Sequence, residues 1–219
     1  MKSNKPLIYL ITSGQLTSQN YSANSQKLLQ IIETAIFAGV SMVQIREKQL
    51  PARLLFKLTQ AVIKIRHKSQ TKVLVNERVD VAFAAQADGV HLPSNSISTK
   101  IIRSISPPGF IVGVSTHNLD EVLDAKTNGA NFAVFSPIFF TQSKAKYGQP
   151  QGVEKLIEVV NAVNNFPVIA LGGINEENFE EVLNAGANGI AAIKLLNEID
   201  KISDIIKKIQ TFKRKNEQE

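Results

Sequence analysis

AGVSMVQI (38–45), QADGVHL (86–92), NGANFAVF (128–135) and AGANGIAAI (185–193) are four versions of one phrase. Each opens on a small or polar pivot, usually glycine, and continues at once into an apolar run. Gly39, Gly129 and Gly186 stand where a helix would close in a left-handed cap, which glycine adopts without a Cβ penalty. The β-branched runs that follow suit strands buried on both faces of a parallel sheet. The phrases recur roughly 40–60 residues apart, the length of about two strand–helix units. Four double units make eight, the count of a (β/α)8 TIM barrel. The intervening strands are expected at LIYLIT (7–12), KVLVN (72–76), FIVGVS (110–115) and PVIALGGI (167–174).

A chain of 219 residues holds one such barrel, read as a single domain over 1–219 with an ordered core at about 6–213. No apolar run approaches the ~20 residues of a membrane span. LIYLIT (7–12) lacks the sequel of a signal peptide and reads as a strand. The chain has no cysteine, which excludes disulfides, thiolate catalysis and Cys-ligated metals and agrees with a cytoplasmic home. Its 25 Lys and Arg against 19 Asp and Glu give a net charge of +6, spread along the chain. A nucleic-acid surface would need a clustered basic face with stacking aromatics. The basic stretch 201–215 instead spaces Ile202, Ile205, Ile206, Ile209 and Phe212 as an amphipathic last helix. The surplus charge suits small anions.

Among the helices, Pro51 fits a first helical position. Asn118 with Glu121 reads as a capping box, and Asn175 with Glu176 and Glu177 as another helix start. The connection PIFFTQSKAKYGQPQG (137–152) is long for a strand-to-helix loop and reads as a lid or phosphate clamp carrying Thr141 and Lys144.

In this fold the loops after the strands carry the chemistry. Alternation along QIREK sends Gln44, Arg46 and Lys48 the same way, toward the barrel mouth. Asn76 and Glu77 end the third strand, His91 and then Ser94 and Ser96 follow the fourth, and Ser115 with His117 ends the fifth. Backbone N–H groups after strands seven and eight, at Gly172, Gly173, Ile193 and Lys194, form a candidate phosphate cup. Each residue has a plainer alternative. The glycine pair could be only a tight turn, Arg46 a rim ion pair with Glu47 or Glu77, and His117 a helix cap. His91 reads as a packed, hydrogen-bonded core histidine and His67 as a surface residue. His117 is the best acid–base candidate, since an unshifted imidazole titrates near neutrality.

YLIT, VQIREK, LVNERVDVAFAAQADGVHL, GVSTHNLDEV, SPIFFTQSK and PVIALGGINEEN together resemble the thiamine phosphate synthase and thiazole tautomerase (TenI-like) superfamily over nearly the whole chain. The resemblance implies a phosphorylated thiazole as substrate and allows a homo-oligomer. In the synthase, Mg²⁺ helps diphosphate leave an aminopyrimidine methyl diphosphate, and the thiazole nitrogen attacks the freed carbon. Two Asp residues hold that metal; their positions fall here on Glu77 and on Ser96. HLPSNSIS (91–98) instead resembles the tautomerase branch, which moves a proton, needs no metal and has its catalytic histidine at His117. Arg46, Lys48, Asn76, Ser115, Thr141 and Lys144 match synthase positions for diphosphate and pyrimidine. The expectation drawn here is a thiazole tautomerase, with the Mg²⁺-dependent synthase as the alternative and a non-catalytic thiazole or thiamine phosphate-binding regulator as a third reading. A class I aldolase is disfavoured because FAVFSPI carries no Schiff-base lysine, and a sugar-phosphate epimerase because paired His and Asp metal ligands are missing.

Overall fold

The computed structural model describes residues 5–141 and 149–214, and in it the apolar runs become the staves of a closed barrel. Eight parallel strands follow one another in chain order: β1 (Leu7–Ile11), β2 (Met42–Ile45), β3 (Lys72–Asn76), β4 (Gly89–Leu92), β5 (Ile111–Thr116), β6 (Phe132–Phe135), β7 (Val168–Leu171) and β8 (Gly189–Ala192). The helices alternate with them: α1 (Tyr21–Phe37), α2 (Ala52–Ile65), α3 (Val79–Ala85), α4 (Thr99–Ile105), α5 (Leu119–Thr127), α6 (Gly152–Ala162), α7 (Phe179–Asn184) and α8 (Ile202–Gln210). β1 pairs with β2 on one side and with β8 on the other, Leu7 facing Gly189, so the sheet has no edge.

Two apolar layers result. Tyr9, Ile11, Met42, Leu74, Phe132, Val134, Ile169 and Ala191 fill the inside of the barrel. The outward residues of the same strands pack on the helices in the larger core. In α8, Ile202, Ile205, Ile206 and Ile209 are buried, and Lys207 and Lys208 face solvent, as expected of an amphipathic last helix.

The fourfold phrase has a structural cause. Gly39, Gly129 and Gly186 have φ of 90°, 87° and 97°; in the second phrase Gln86 takes the left-handed conformation instead, at φ 57°. Two residues beyond each pivot stands a hydrogen-bond acceptor: Ser41, Asp88, Asn131 and Asn188. Its side chain receives a backbone N–H from the start of the preceding strand, at Ile8, Val73, Val112 and Val168, over 3.0, 2.8, 2.8 and 2.8 Å. The pivot turns the chain, and the acceptor satisfies a strand-end donor the sheet leaves over.

Element boundaries differ from expectation at three points. Pro51 precedes α2 rather than opening it. α7 begins at Phe179, not at Asn175, because the Asn175 carboxamide accepts the N–H groups of Glu177 and Asn178 and closes a turn first. β7 stops at Leu171, before the glycine pair. No helix among the described residues is long and apolar enough to cross a membrane.

Candidate functional site at the barrel mouth

The inward residues near the strand ends carry a buried polar chain. Gln44 donates from Nε2 to the Tyr9 hydroxyl at 2.9 Å, that hydroxyl lies 3.3 Å from His91 Nδ1, and His91 Nε2 lies 2.9 Å from Ser115 Oγ. Phe132 packs its edge on Tyr9 with centroids 5.6 Å apart, and sits 6.0 Å from the His91 ring. His91 is thus the packed, hydrogen-bonded histidine expected. Burial, helped by the positive charge of Arg46, pushes its pKa down to about 3. In the unfolded chain the same imidazole takes a proton near pH ~6.5. The depressed folded-state value therefore favours folding fully above that pH, and the benefit is lost as pH falls toward 3. The expected slope is at most about 1.4 kcal/mol per pH unit. Denaturant melts at pH 7 and 4.5 will show a larger loss for the native chain than for His91→Gln; equal losses would show that His91 takes its proton while folded.

The rim beyond β2 departs from strict alternation. Gln44 points inward and is buried, and Arg46 is half-buried, its backbone N–H bound to Thr12 Oγ1 at 2.8 Å. Lys48, however, lies exposed on a turn, because the strand ends at Ile45 and its period ends with it. Glu47 does not pair with Arg46. Its buried carboxylate accepts the N–H groups of Gly14 at 3.0 Å and Leu16 at 2.8 Å and so ties down the loop after β1. Sequence reasoning missed this role, because Glu47 stands between Arg46 and Lys48 and its partners lie 33 and 31 positions away. Asn76 is half-buried, opposite His91 in register. Glu77 is exposed at φ 62°, with its N–H on the His91 carbonyl at 2.9 Å.

After β4, Ser94 is exposed and Ser96 half-buried; with Ser115, Asp120 and Asp124 they line a cavity of about 300 Å³. His117, after β5, is seated by the expected capping box. Asn118 Oδ1 accepts the Glu121 N–H at 2.8 Å, and the Glu121 carboxylate takes the His117 N–H at 2.8 Å. Because a carbonyl only accepts, the 2.7 Å contact between His117 Nδ1 and the Ser136 oxygen puts a proton on Nδ1, so that in the neutral ring Nε2 keeps its lone pair. His67 is exposed, as expected.

Across the mouth, Gly172 and Gly173 have φ of 104° and 67°. A Cβ on Gly172 would stand 2.7 Å from Pro137 Cα, and one on Gly173 would stand 2.8 Å from the Phe140 carbonyl oxygen. The glycine pair is thus required by the passage of segment 137–140. The tight-packing explanation accounts for the glycines, whatever else their N–H groups do. Thr141 is half-buried at the end of this segment, and Lys144 lies outside the described residues. Ile193 and Lys194 follow β8. The exposed Lys194 stands between two cavities, one of about 450 Å³ with Ser13, Asn24 and Lys27, the other of about 300 Å³ with Asn175 and Lys201. Among the described residues no group of three His, Asp or Glu side chains is placed to hold a metal.

This arrangement has relatives. A model of the family described as thiamine monophosphate synthase matches residues 8–196. The chain belongs to that family. Within the thiamine monophosphate synthase family, a protein of Geobacter sulfurreducens provisionally named thiamine-phosphate synthase is 40% identical over 189 residues, 86% of this chain and 85% of that one. The thiamine-phosphate synthase of Clostridium novyi is 32% identical over 195 residues, 89% of this chain and 92% of its own. The solved thiamine phosphate pyrophosphorylase of Pyrococcus furiosus superposes with a TM-score of 0.74 at 28% identity, covering 94% of this chain and 98% of that one. These names favour the synthase alternative over the tautomerase expected from HLPSNSIS.

Proposed function

We propose that this member of the family makes thiamine phosphate by joining an aminopyrimidine methyl diphosphate to a thiazole phosphate. The observation that supports this best is that groups able to meet an anion follow the strands on two sides of the barrel. Arg46, Asn76 and Ser115 rise from β2, β3 and β5; the glycine turn, Ile193 and Lys194 follow β7 and β8. A condensation of two anionic substrates needs two such sides, one for a diphosphate and one for a phosphate. A tautomerase needs one.

In the reaction the bond between the pyrimidine methylene carbon and the diphosphate oxygen breaks, and the electron pair leaves on the diphosphate. The thiazole nitrogen then gives its lone pair to that carbon. Arg46 and the Ser115 hydroxyl meet the charge that grows on the leaving group. The apolar inner wall, which ends toward the mouth in Leu171, keeps water from competing for the carbon. Glu77 and Ser96 offer one carboxylate and one hydroxyl, both hard oxygens. Mg²⁺ carried on a diphosphate takes one or two protein carboxylates and keeps several waters, so Glu77 would be the one protein carboxylate for a metal that enters with the substrate, and the Ser96 hydroxyl a poor replacement for a second. When bound there it would neutralise charge on the departing diphosphate.

A second reading keeps one observation in its favour: with Nδ1 donating to Ser136, the Nε2 of a neutral His117 ring can accept a proton, as a tautomerase requires. One assay at neutral pH separates the two. With both substrates and Mg²⁺ the expected product is thiamine phosphate plus diphosphate. Metal-independent aromatisation of a carboxythiazole phosphate, lost in His117→Ala, would replace the synthase by the tautomerase. On the phosphate side, Lys194→Ala is expected to raise the thiazole phosphate Kd about fivefold, the weight of one exposed cation on an anion; unchanged affinity in a titration would remove Lys194 from the site.

A further inference from the structure

The buried chain from Gln44 to Ser115 has a direction, and the direction bears on the substrate. A neutral imidazole carries one donor and one acceptor. Tyr9 is completely buried, and its hydroxyl has two polar neighbours, Gln44 Nε2 and His91 Nδ1. The Gln44 amide nitrogen can only donate, so the phenol's own hydrogen has one place to go, the His91 Nδ1 lone pair. Were Nδ1 to carry the proton instead, Tyr9 would face two donors and hold a buried O–H without an acceptor, which costs roughly 1–3 kcal/mol. The His91 proton therefore sits on Nε2 and is donated to Ser115 Oγ at 2.9 Å. Having accepted that bond, the half-buried serine hydroxyl keeps its own hydrogen for whatever enters the mouth.

We propose that Tyr9 and His91 are positioning residues which fix Ser115 as a hydrogen-bond donor and so tune the mouth for an anionic leaving group. The assignment deepens the synthase reading and rests on it for the identity of the anion. Phosphate oxygens at neutral pH are chiefly acceptors. A serine whose hydrogen was committed to His91 would present lone pairs to them and repel. The depressed basicity of His91 supports the arrangement, since a second ring proton would cancel its polarity, and the nearby Arg46 charge opposes such protonation.

The ligand-free full-length chain, labelled with ¹⁵N, tests the direction without any assumption about turnover. Long-range ¹H–¹⁵N correlations assigned with a His91→Gln variant are expected to show the Nε2–H tautomer between pH 5 and 8. The Nδ1–H tautomer, which a flipped Gln44 amide would produce, overturns the proposal. Inorganic diphosphate titrated by calorimetry tests the consequence. Tyr9→Phe preserves the ring volume and removes the donor, and both it and Ser115→Ala are expected to loosen diphosphate about tenfold. The double variant should be no weaker than Ser115→Ala alone, since both act through one hydroxyl. Additive losses, or unchanged affinity in Tyr9→Phe, would reduce Tyr9 to packing. A native chain with the expected tautomer that binds no diphosphate would sink the anion half of the proposal. A chain that binds diphosphate through Ser115 yet forms no thiamine phosphate would sink the synthase reading and leave this one standing.

Discussion

Arg46→Ala will lower thiamine phosphate formation by about 10²–10³-fold while leaving the melting temperature within a few degrees of the native value. A preorganised donor aimed at charge that develops in the transition state is worth that much when removed. Arg46 meets the requirement of preorganisation. Its backbone is held to Thr12, Gly14 lets its guanidinium lie close to the loop after β1, and among the described residues it makes no salt bridge. The same lack of a carboxylate partner is why stability should not suffer, since the substitution orphans no buried charge. The loss should fall mainly on kcat, because charge on the diphosphate is greatest as it departs. Arg46→Lys restores the charge without the planar fork and should recover part of the rate. Steady-state kinetics on the three proteins decide it. A fall of less than threefold in Arg46→Ala would move the leaving group elsewhere.

Gly189→Ala is expected to cost about 3 kcal/mol, the upper end for overpacking and a large share of the ~5–15 kcal/mol that holds a domain together. A Cβ there would lie 2.1 Å from the Leu7 carbonyl oxygen and 2.6 Å from Leu7 Cβ. The first obstacle is a strand backbone, which cannot step aside without prising β1 from β8. Gly109 provides the contrast: its φ is 81°, but a Cβ would meet nothing within 4 Å, so Gly109→Ala carries backbone strain of about 1 kcal/mol alone. Urea titrations of both variants should separate the two costs. Equal midpoints would mean that the seam flexes. Gly89 repeats the arrangement half a barrel away, against Ile111 of β5, so the internal repeat extends to its tightest contacts.

Much of this architecture could be read from the chain because two signals agreed at four places, a pivot that only a left-handed residue satisfies and an apolar run too short for a helix. What escaped was chemistry that works across sequence distance. The acceptors at Ser41, Asp88, Asn131 and Asn188 bond residues 33, 15, 19 and 20 positions away, and no local pattern reports such partners. Glu47 looked like a rim charge and proved to be an internal staple for the same reason. At the site, alternation placed Gln44 inward, as its bond to Tyr9 shows, and failed at Lys48, where the strand had ended. The glycine pair at 172–173 was visible as a turn, but its cause, the close passage of segment 137–140, depends on the neighbouring loop. HLPSNSIS suggested the tautomerase because two loop positions were weighed above the rest of the chain, whereas the relatives reflect the whole.

The seam between β1 and β8 also has a history in time. During synthesis the first strand can pair with β2 almost at once, but its outer edge must wait for residues 189–192 to emerge. Until then the nascent chain carries an open row of unpaired N–H and C=O groups beside Ile8 and Leu10, a template that a neighbouring chain could extend. Closure demands a contact across more than 180 residues, the kind that is slow to form. Shelter for that edge during synthesis is therefore expected to bear on the yield of folded protein alongside the strength of the finished barrel.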